Sequence, residues 1–361
     1  MDNTVKVKRE TKNKIRVDFE RAPLKERLKQ KFLSMNFLKK VVFVIFRTVL
    51  LIGITYVILF PYITKIFSSI KSVSDFKDAT VMLISKNPTH IQYLYILTEN
   101  HYLKALITTF LVSLSVAFIQ TLVCALVAYG LAKFKFKGNS IVFAMVIVTL
   151  LIPQEAFKNS IGSFFRQITI FDTTHNPISF VLDLLQDWFQ IFGPTGSVES
   201  SGFVNSIIPL YILSIFGLGF KNGLFIFMLR QFFKGVPDEL EESAFVDGSS
   251  TLRTFFSIII PISVPMLITV FIFAFSWQWT DDFYTGSSFF NAGESTLTFM
   301  KDIAVTPPSI QKLIDGETVA NAYKVAVTGT ASILIALPLI IAYIFLQRRI
   351  VEGVERSGIV G

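Results

Sequence analysis

A chain of 361 residues that is 52% hydrophobic, holds 38 Phe and has a mean hydropathy of +0.57 is too apolar for a soluble globular domain. The formal net charge of +8 lies wholly in residues 1–40, where thirteen Lys/Arg face five Asp/Glu, and the remaining residues sum to zero. What remains is an integral membrane protein with a basic amino-terminal arm.

The arm, 1–40, reads as a partly disordered segment that either sets topology as a solvated charge cluster or touches anionic lipid. Apolar runs long enough to cross about 30 Å of hydrocarbon follow it. They are Val41–Phe67, Leu103–Ala132, Ile141–Phe157, Phe203–Phe233, Phe255–Trp279 and Asn321–Leu346. The first run shows no small-residue cleavage site after its charged leader and reads as a retained anchor. Cys124, the single cysteine, lies in the second run as a small buried hydrophobe, so no disulfide forms within one chain.

Between the third and fourth runs, residues 158–204 form a long external insertion. Within it Ile178, Val181, Leu182, Leu185, Trp188, Phe189 and Phe192 recur at helical spacing, with Asp183, Gln186, Asp187 and Gln190 opposite. An amphipathic helix over 178–192 is expected, either as a lid on the bundle or as a docking surface. In the fourth run Gly217, Gly219, Gly223 and Lys221 interrupt the apolar pattern. Lys221 either belongs to an ion relay or marks a break where the span unwinds.

Charge orients the whole. Six spans with the arm inside place 22 Lys/Arg in the 88 inner positions and seven in the 120 outer ones, which puts both termini in the cytoplasm. The tail is 347–361, and residues 103–346 form a core of five spans. The expected fold is thus an all-α integral membrane protein with six transmembrane helices.

Chemistry of its own is missing from the pattern. No G-x-x-x-x-G-K-[ST] loop exists to cradle nucleotide phosphates, and "GLGFKNG" at 217–223 lacks the strand-to-helix context. His90, His101 and His175 lack metal-ligand spacing, and no G-x-S-x-G elbow occurs. No catalytic residue, metal or cofactor is expected in this chain.

The segment 236–261 is different in kind. "VPDELEESAFVDGSSTLRTFFSIIIP" predicts a short helix over 236–247, with Pro237 at its first position, acids in its first turn and Gly248 ending it. Val236, Leu240, Ser243, Ala244 and Asp247 share a narrow face, small around Leu240 because Ser243 and Ala244 have short side chains, while Asp238, Glu239, Glu241 and Glu242 occupy the solvated remainder. Ser249 or Ser250 can cap the next helix. From the residues alone this is either an interfacial turn or a lever joined to two spans.

The spacing Glu242-Ser243-Ala244, three residues, Gly248, nine residues, Ile258, two residues, Pro261 resembles the E-A-A-x3-G-x9-I-x-L-P loop of ABC importer permeases. Ser243 replaces the first alanine and Ile260 the leucine. "FMLRQFFKGVPDELEESAFVDG" (227–248), "FSWQWTDDF" (275–283) and the tail "LQRRIVEGVERSGIVG" (346–361) narrow the resemblance to the maltose-type carbohydrate permeases. It covers roughly 100–157 and 203–361, and departs in the arm and in 158–204.

The resemblance implies a cytoplasmic coupling helix in which Leu240, Ser243 and Ala244 dock on an ATPase subunit. Glu242 makes polar contact there, Asp247 borders the same face, Gly248 makes the turn and Pro261 marks the helix entry. It also implies a bacterial cell-membrane location and, besides membrane lipid and with no nucleic acid, three kinds of partner. These are a second homologous permease, an ABC ATPase dimer that binds ATP and Mg, and an extracellular solute-binding protein bringing a carbohydrate or oligosaccharide. Trp277, Trp279, Asp281, Asp282 and Tyr284 are the substrate-path candidates, with interfacial anchoring the competing role for the tryptophans. A peptide or amino-acid permease of the same mechanism, or an ion-coupled secondary transporter using Lys221, are the alternatives.

Overall fold

The computed structural model describes residues 6–10, 16–20, 35–152, 154–157, 160–161, 207–219, 221–285 and 298–356. The expected helix 178–192 and nearly all of the insertion lie outside the described residues.

The chain divides into two units, 1–65 and 66–361. In the first, β1 (Lys6–Glu10) and β2 (Arg16–Glu20) pair antiparallel with Lys6 opposite Glu20, Lys8 opposite Asp18 and Glu10 opposite Arg16. Oppositely charged residues are thus in register along one face, an arrangement that favours this pairing. The hairpin is the departure from an otherwise helical architecture among the described residues. Helix α1, Met35–Ser69, follows and carries the first apolar run, its side chains exposed along the lipid-spanning length.

The second unit is built from α2 (Val73–Lys77), α3 (Ile91–Glu99), α4 (Tyr102–Lys133), α5 (Asn139–Leu151), α6 (Ile208–Ile215), α7 (Asn222–Lys234), α8 (Glu239–Val246), α9 (Thr251–Trp279), α10 (Pro308–Leu313) and α11 (Ala320–Arg356). Among the described residues four helices, α1, α4, α9 and α11, are long and apolar enough to cross a membrane. The third expected run forms a helix of only 13 residues, α5. The fourth divides into α6 and α7, separated at Phe216–Lys221. Gly217 (φ 72°) and Lys221 (φ 62°) both take left-handed backbone there, so Lys221 marks the unwound point of the run.

Helix α4 is the hub. Its buried positions are largely small, Ala105, Ser113, Ala117, Cys124, Ala125 and Ala128, which lets α7 and α9 approach its backbone. Their shared core adds Phe225, Leu229, Phe233, Phe255, Met266 and Val270. A second core joins α3, α4, α9, α10 and α11 around Ile96, Trp279, Met300, Tyr323 and Val327. Buried amides stitch that end: Gln92 Nε2 donates to Ser68 O and Lys71 O, its Oε1 accepts from Thr330, and Asn100 bridges Ile303 O and Val305 O.

The turn after α2 is organised by Asp75, buried, which accepts bonds from Ser85, Lys86 N and Asn87. The Ser85 hydroxyl first, then the Asn87 and Lys86 groups, hold its carboxyl below the usual range against the opposing effect of burial. Asp78 is held down by Lys86 and Thr80, and Glu99 by Ser309. Depressed folded-state values mean stability that is present above the unfolded carboxylate value of about 4 and is lost as pH falls through and below it. Hydrogen exchange of residues 78–90 in the intact chain should therefore accelerate from pH 6 to pH 3, corrected for intrinsic rates. Protection that is unchanged across that window would refute the assignment.

Candidate functional site

Helix α8 is shorter than expected, Glu239–Val246 rather than 236–247. Asp238, not Pro237, stands at its start, and its carboxylate makes no cap bond because Lys133 Nζ takes it at 2.6 Å. Glu239, Glu241 and Glu242 in the first turn complement the positive end of the helix dipole.

Two bonds close the other end: Gly248 N donates to Phe245 O and Ser249 N to Ala244 O, with Gly248 at φ 81°. That is the Schellman arrangement, and it requires a residue free to be left-handed. One residue on, Ser250 Oγ accepts from Arg253 N at 3.4 Å and caps α9, so Ser250 and not Ser249 performs that role. The whole connection from α8 to α9 is thus fixed by backbone bonds and one cap.

Pro261, expected where the helix enters the bilayer, lies inside a helix that is already running. Helix α9 begins at Thr251 and passes a π turn, Phe255–Ile259, before Pro261. Proline cannot donate to the carbonyl four residues back and its ring crowds it. The wider turn, with Ile260 N bonded to Phe255 O, accommodates that ring without a break.

The two faces of α8 differ from the sequence expectation in one important residue. Ala244 is buried, Leu240 is 40% exposed, and Glu242, Ser243 and Asp247 are exposed. Leu240, Ser243, Ala244 and Asp247 line an open groove of about 440 Å³ together with Ser249, Arg253 and Ile258. Phe245 and Val246, 43% and 87% exposed, extend an apolar outer surface that the helical-face reading omitted. Glu241, read as solvated, is 7% exposed. It faces inward because it lies three residues before Ala244, a spacing that places both on one helical face.

Beneath α8 the span ends are tied together. Lys133, at the end of α4, donates to Val236 O and Asp238 Oδ1, both at 2.6 Å, from a side chain only 6% exposed. Arg230 of α7 donates from Nε to Leu131 O at 3.2 Å, with its Cζ 3.7 Å from the Phe143 ring centroid. Asn139 of α5 bonds Leu131 O and Phe134 O. Tyr129 packs its ring against Phe134, Phe233 and Phe255. These contacts join α4, α5, α7 and α9 at the base of α8, and none of their partners was evident from sequence spacing.

Burial raises the Glu241 carboxyl, with Lys133 and the Tyr129 hydroxyl pulling the other way, while Lys133 lowers Asp238. A single lysine thus lies between two carboxylates of opposite tendency.

The substrate-path candidates do not meet in one described cavity. Trp277 stacks on Phe225 and Phe273 in the α4–α7–α9 core, whereas Trp279 donates Nε1 to Ile335 O of α11 at 3.1 Å. Asp281 is buried and accepts bonds from Phe283 N, Tyr284 N and Thr285 N, so its carboxylate organises the turn that ends α9. Asp282, exposed, pairs with Lys301 at 3.2 Å. Tyr284 is buried and donates to Leu218 O at 3.1 Å, satisfying a carbonyl of the unwound α6–α7 segment.

A further polar group lies at that segment. Asn222, 2% exposed, has neither side-chain polar atom bonded among the described residues, and Gln120 Nε2 reaches Ser214 Oγ at 3.4 Å. Among the described residues no group of three or more His, Cys, Asp or Glu is placed to hold a metal.

Residues 121–356 match the family described as binding-protein-dependent transport system inner membrane component. The maltodextrin transport system permease protein MalD of Streptococcus pneumoniae is 26% identical over 85% of this chain and 92% of its own length. The sulfoquinovosyl glycerol transport system permease protein SmoH of Agrobacterium fabrum is 25% identical over 84% and 89%. Among solved structures, a bacterial ABC transporter involved in the import of the acidic polysaccharide alginate shares the fold, with a TM-score of 0.57 at 18% identity, over 86% of this chain and 97% of that one. With the family matched across most of its length, and its apolar helices of spanning length, this chain belongs to the binding-protein-dependent transport system inner membrane components and is a multi-pass protein of the bacterial plasma membrane.

Proposed function

We propose that this chain is the permease subunit of an ATP-driven carbohydrate importer, in which separate ATPase subunits drive alternating access through α8. The observation that carries the coupling role is the pairing of an exposed α8 surface (Leu240, Glu242, Ser243, Phe245, Val246, Asp247) with a base bonded to the ends of the spans. A stiff, short helix with an accessible outer face transmits a push from a docked partner to α4, α7 and α9. Carbohydrate is favoured because the relatives are named for maltodextrin, sulfoquinovosyl glycerol, trehalose and galactooligosaccharide transport.

In this reading the chain crosses the membrane six times with both termini cytoplasmic, and α5 and the α6–α7 pair supply the two shorter crossings. The arm 1–40, the first span 41–67, the core 103–346 and the tail 347–361 are its parts. Its partners are a second homologous permease, two ATPases that hold ATP and Mg, an external solute-binding protein and lipid. The unwound α6–α7 segment, with Asn222, Gln120 and Ser214, borders the substrate path, as interrupted helices border the midplane sites of other transporters. Trp277, Trp279, Asp281, Asp282 and Tyr284 frame it from α9 and the turn beyond.

The test is affinity purification of the detergent-solubilised chain from its native membrane, with and without Glu242→Lys. An ATPase and a second permease should co-purify with the unaltered chain. The charge reversal on the docking surface should lower recovered ATPase about tenfold while retaining the permease partner. A chain that purifies without any ATPase would overturn the reading.

A further inference from the structure

The inner side of α8 holds more polar groups than it satisfies. Glu241 Oε1, the Tyr129 hydroxyl and Thr254 Oγ1 are all buried and none makes a well-formed hydrogen bond among the described residues, although the Tyr129 hydroxyl lies near enough to act on the Glu241 carboxyl. Lys133 uses two of its three N–H donors, on Val236 O and Asp238 Oδ1, and the third has no acceptor among the described residues. Both carboxylates sense this one ammonium, yet only Asp238 is bonded to it.

The energetics of that choice are unusual. Asp238 is 76% exposed, so its pair with Lys133 exchanges solvent contacts for little net gain. Glu241, buried beneath the helix, loses its solvation without full compensation, a cost that a bond from Lys133 would offset. Either arrangement leaves Lys133 bonded and one carboxylate without it, the exposed one open to solvent and the buried one beside Tyr129, so the count of bonds made excludes neither. Two packings separated by a small gap are what a docked partner can bias.

We propose that Lys133 is a two-position latch, holding α8 through Asp238 in this state and through Glu241 in the other state of the transport cycle. The exchange moves the Lys133 ammonium from one carboxylate of α8 to the one three residues on, on a neighbouring position of the helix surface, while its bond to Val236 O ties the approach to α8 to the end of α4. Lys133 and Glu241 act here as positioning residues, neither touching substrate nor nucleotide. The inference rests on the proposal that α8 docks an ATPase.

A water-soluble carbodiimide joins an ammonium to a carboxylate only when they are in contact, so it reads the latch on the complete purified complex. Nucleotide-free complex should give the Lys133–Asp238 link by mass spectrometry, and complex trapped with ATP and vanadate should give predominantly Lys133–Glu241. A parallel series measures ATP hydrolysis. Lys133→Met should slow it roughly tenfold by leaving Glu241 without its partner, and adding Glu241→Gln should restore it to within about threefold, whereas Lys133→Arg should remain near the starting rate.

The same cross-link in both nucleotide states, or additive effects of Lys133→Met and Glu241→Gln, would overturn the latch while leaving docking intact. Absence of ATPase from the unaltered complex would remove the docking reading and the latch with it.

Discussion

Gly248→Val is expected to lower solute uptake about a hundredfold, with the protein still present in the membrane. Space is not the obstacle, since a Cβ at this position meets nothing within 4 Å. The obstacle is φ, which at 81° lies where a β-branched residue is strained by roughly 3 kcal/mol. The chain relieves that strain by abandoning the turn, breaking the bonds from Gly248 N to Phe245 O and from Ser249 N to Ala244 O. Helix α8 then loses its fixed junction to α9, and the docking surface loses its orientation relative to the spans. Since each 1.4 kcal/mol is a factor of ten, about 3 kcal/mol spent in the docked state corresponds to the expected loss.

Two companions separate this cause from general damage. Gly248→Asn, which tolerates left-handed backbone, should retain most uptake. Ser243→Ala removes only a hydroxyl bonded to Glu239 O within the same exposed helix and should be nearly silent. Uptake assays in membrane vesicles with equal amounts of each variant decide the matter. Normal uptake by Gly248→Val would mean that the turn does not orient α8.

Which features were legible in the sequence follows from how local their causes are. The long apolar helices were readable because hydrocarbon thickness imposes a run length that composition records directly. Gly248 and the short acidic helix before it were readable because a left-handed terminus and a helix dipole act within a few residues. The helix 236–247 was overextended at its start because Asp238 is claimed by Lys133, about a hundred residues away in sequence. The π turn before Pro261 was not legible because it depends on how a proline ring fits a helix already running from Thr251. Glu241 was read as solvated because an acid on a short helix usually is. Its burial places it beside Tyr129 and Lys133 at the end of α4, neighbours that no spacing records.

The break at Lys221 lay between these cases. Glycines at 217, 219 and 223 pointed to it, but whether the chain unwinds at the lysine itself depends on backbone angles. The left-handed φ at Gly217 and Lys221 settles the local geometry in favour of the break. Asp281 shows the opposite kind of surprise: a carboxylate at the end of a span invites a substrate role, yet three backbone N–H groups converge on it.

The close approach of α7 to α5 sets up the second large effect, at Gly223. A Cβ there would collide with Thr149 Oγ1 and would also lie 3.1 Å from Leu150 Cδ2 and 3.2 Å from Val146 O. Thr149 is held by its own bond to Val146 O at 2.6 Å, so its hydroxyl does not swing away without losing that partner. Gly223→Ala should destabilise the chain by about 2 kcal/mol, as overpacking of a tight contact does. Gly223→Leu should force α5 away from α7 altogether and leave little folded protein to extract. Removing the hydroxyl provides the control: Thr149→Ala combined with Gly223→Ala should recover roughly half of the loss, because the backbone contact at Val146 O remains. Thermal unfolding of the detergent-solubilised variants measures all three. If Gly223→Ala unfolded at the same temperature as the unaltered chain, the two helices would have room to spare. Small residues on α4 and α7 would then reflect composition, not close packing.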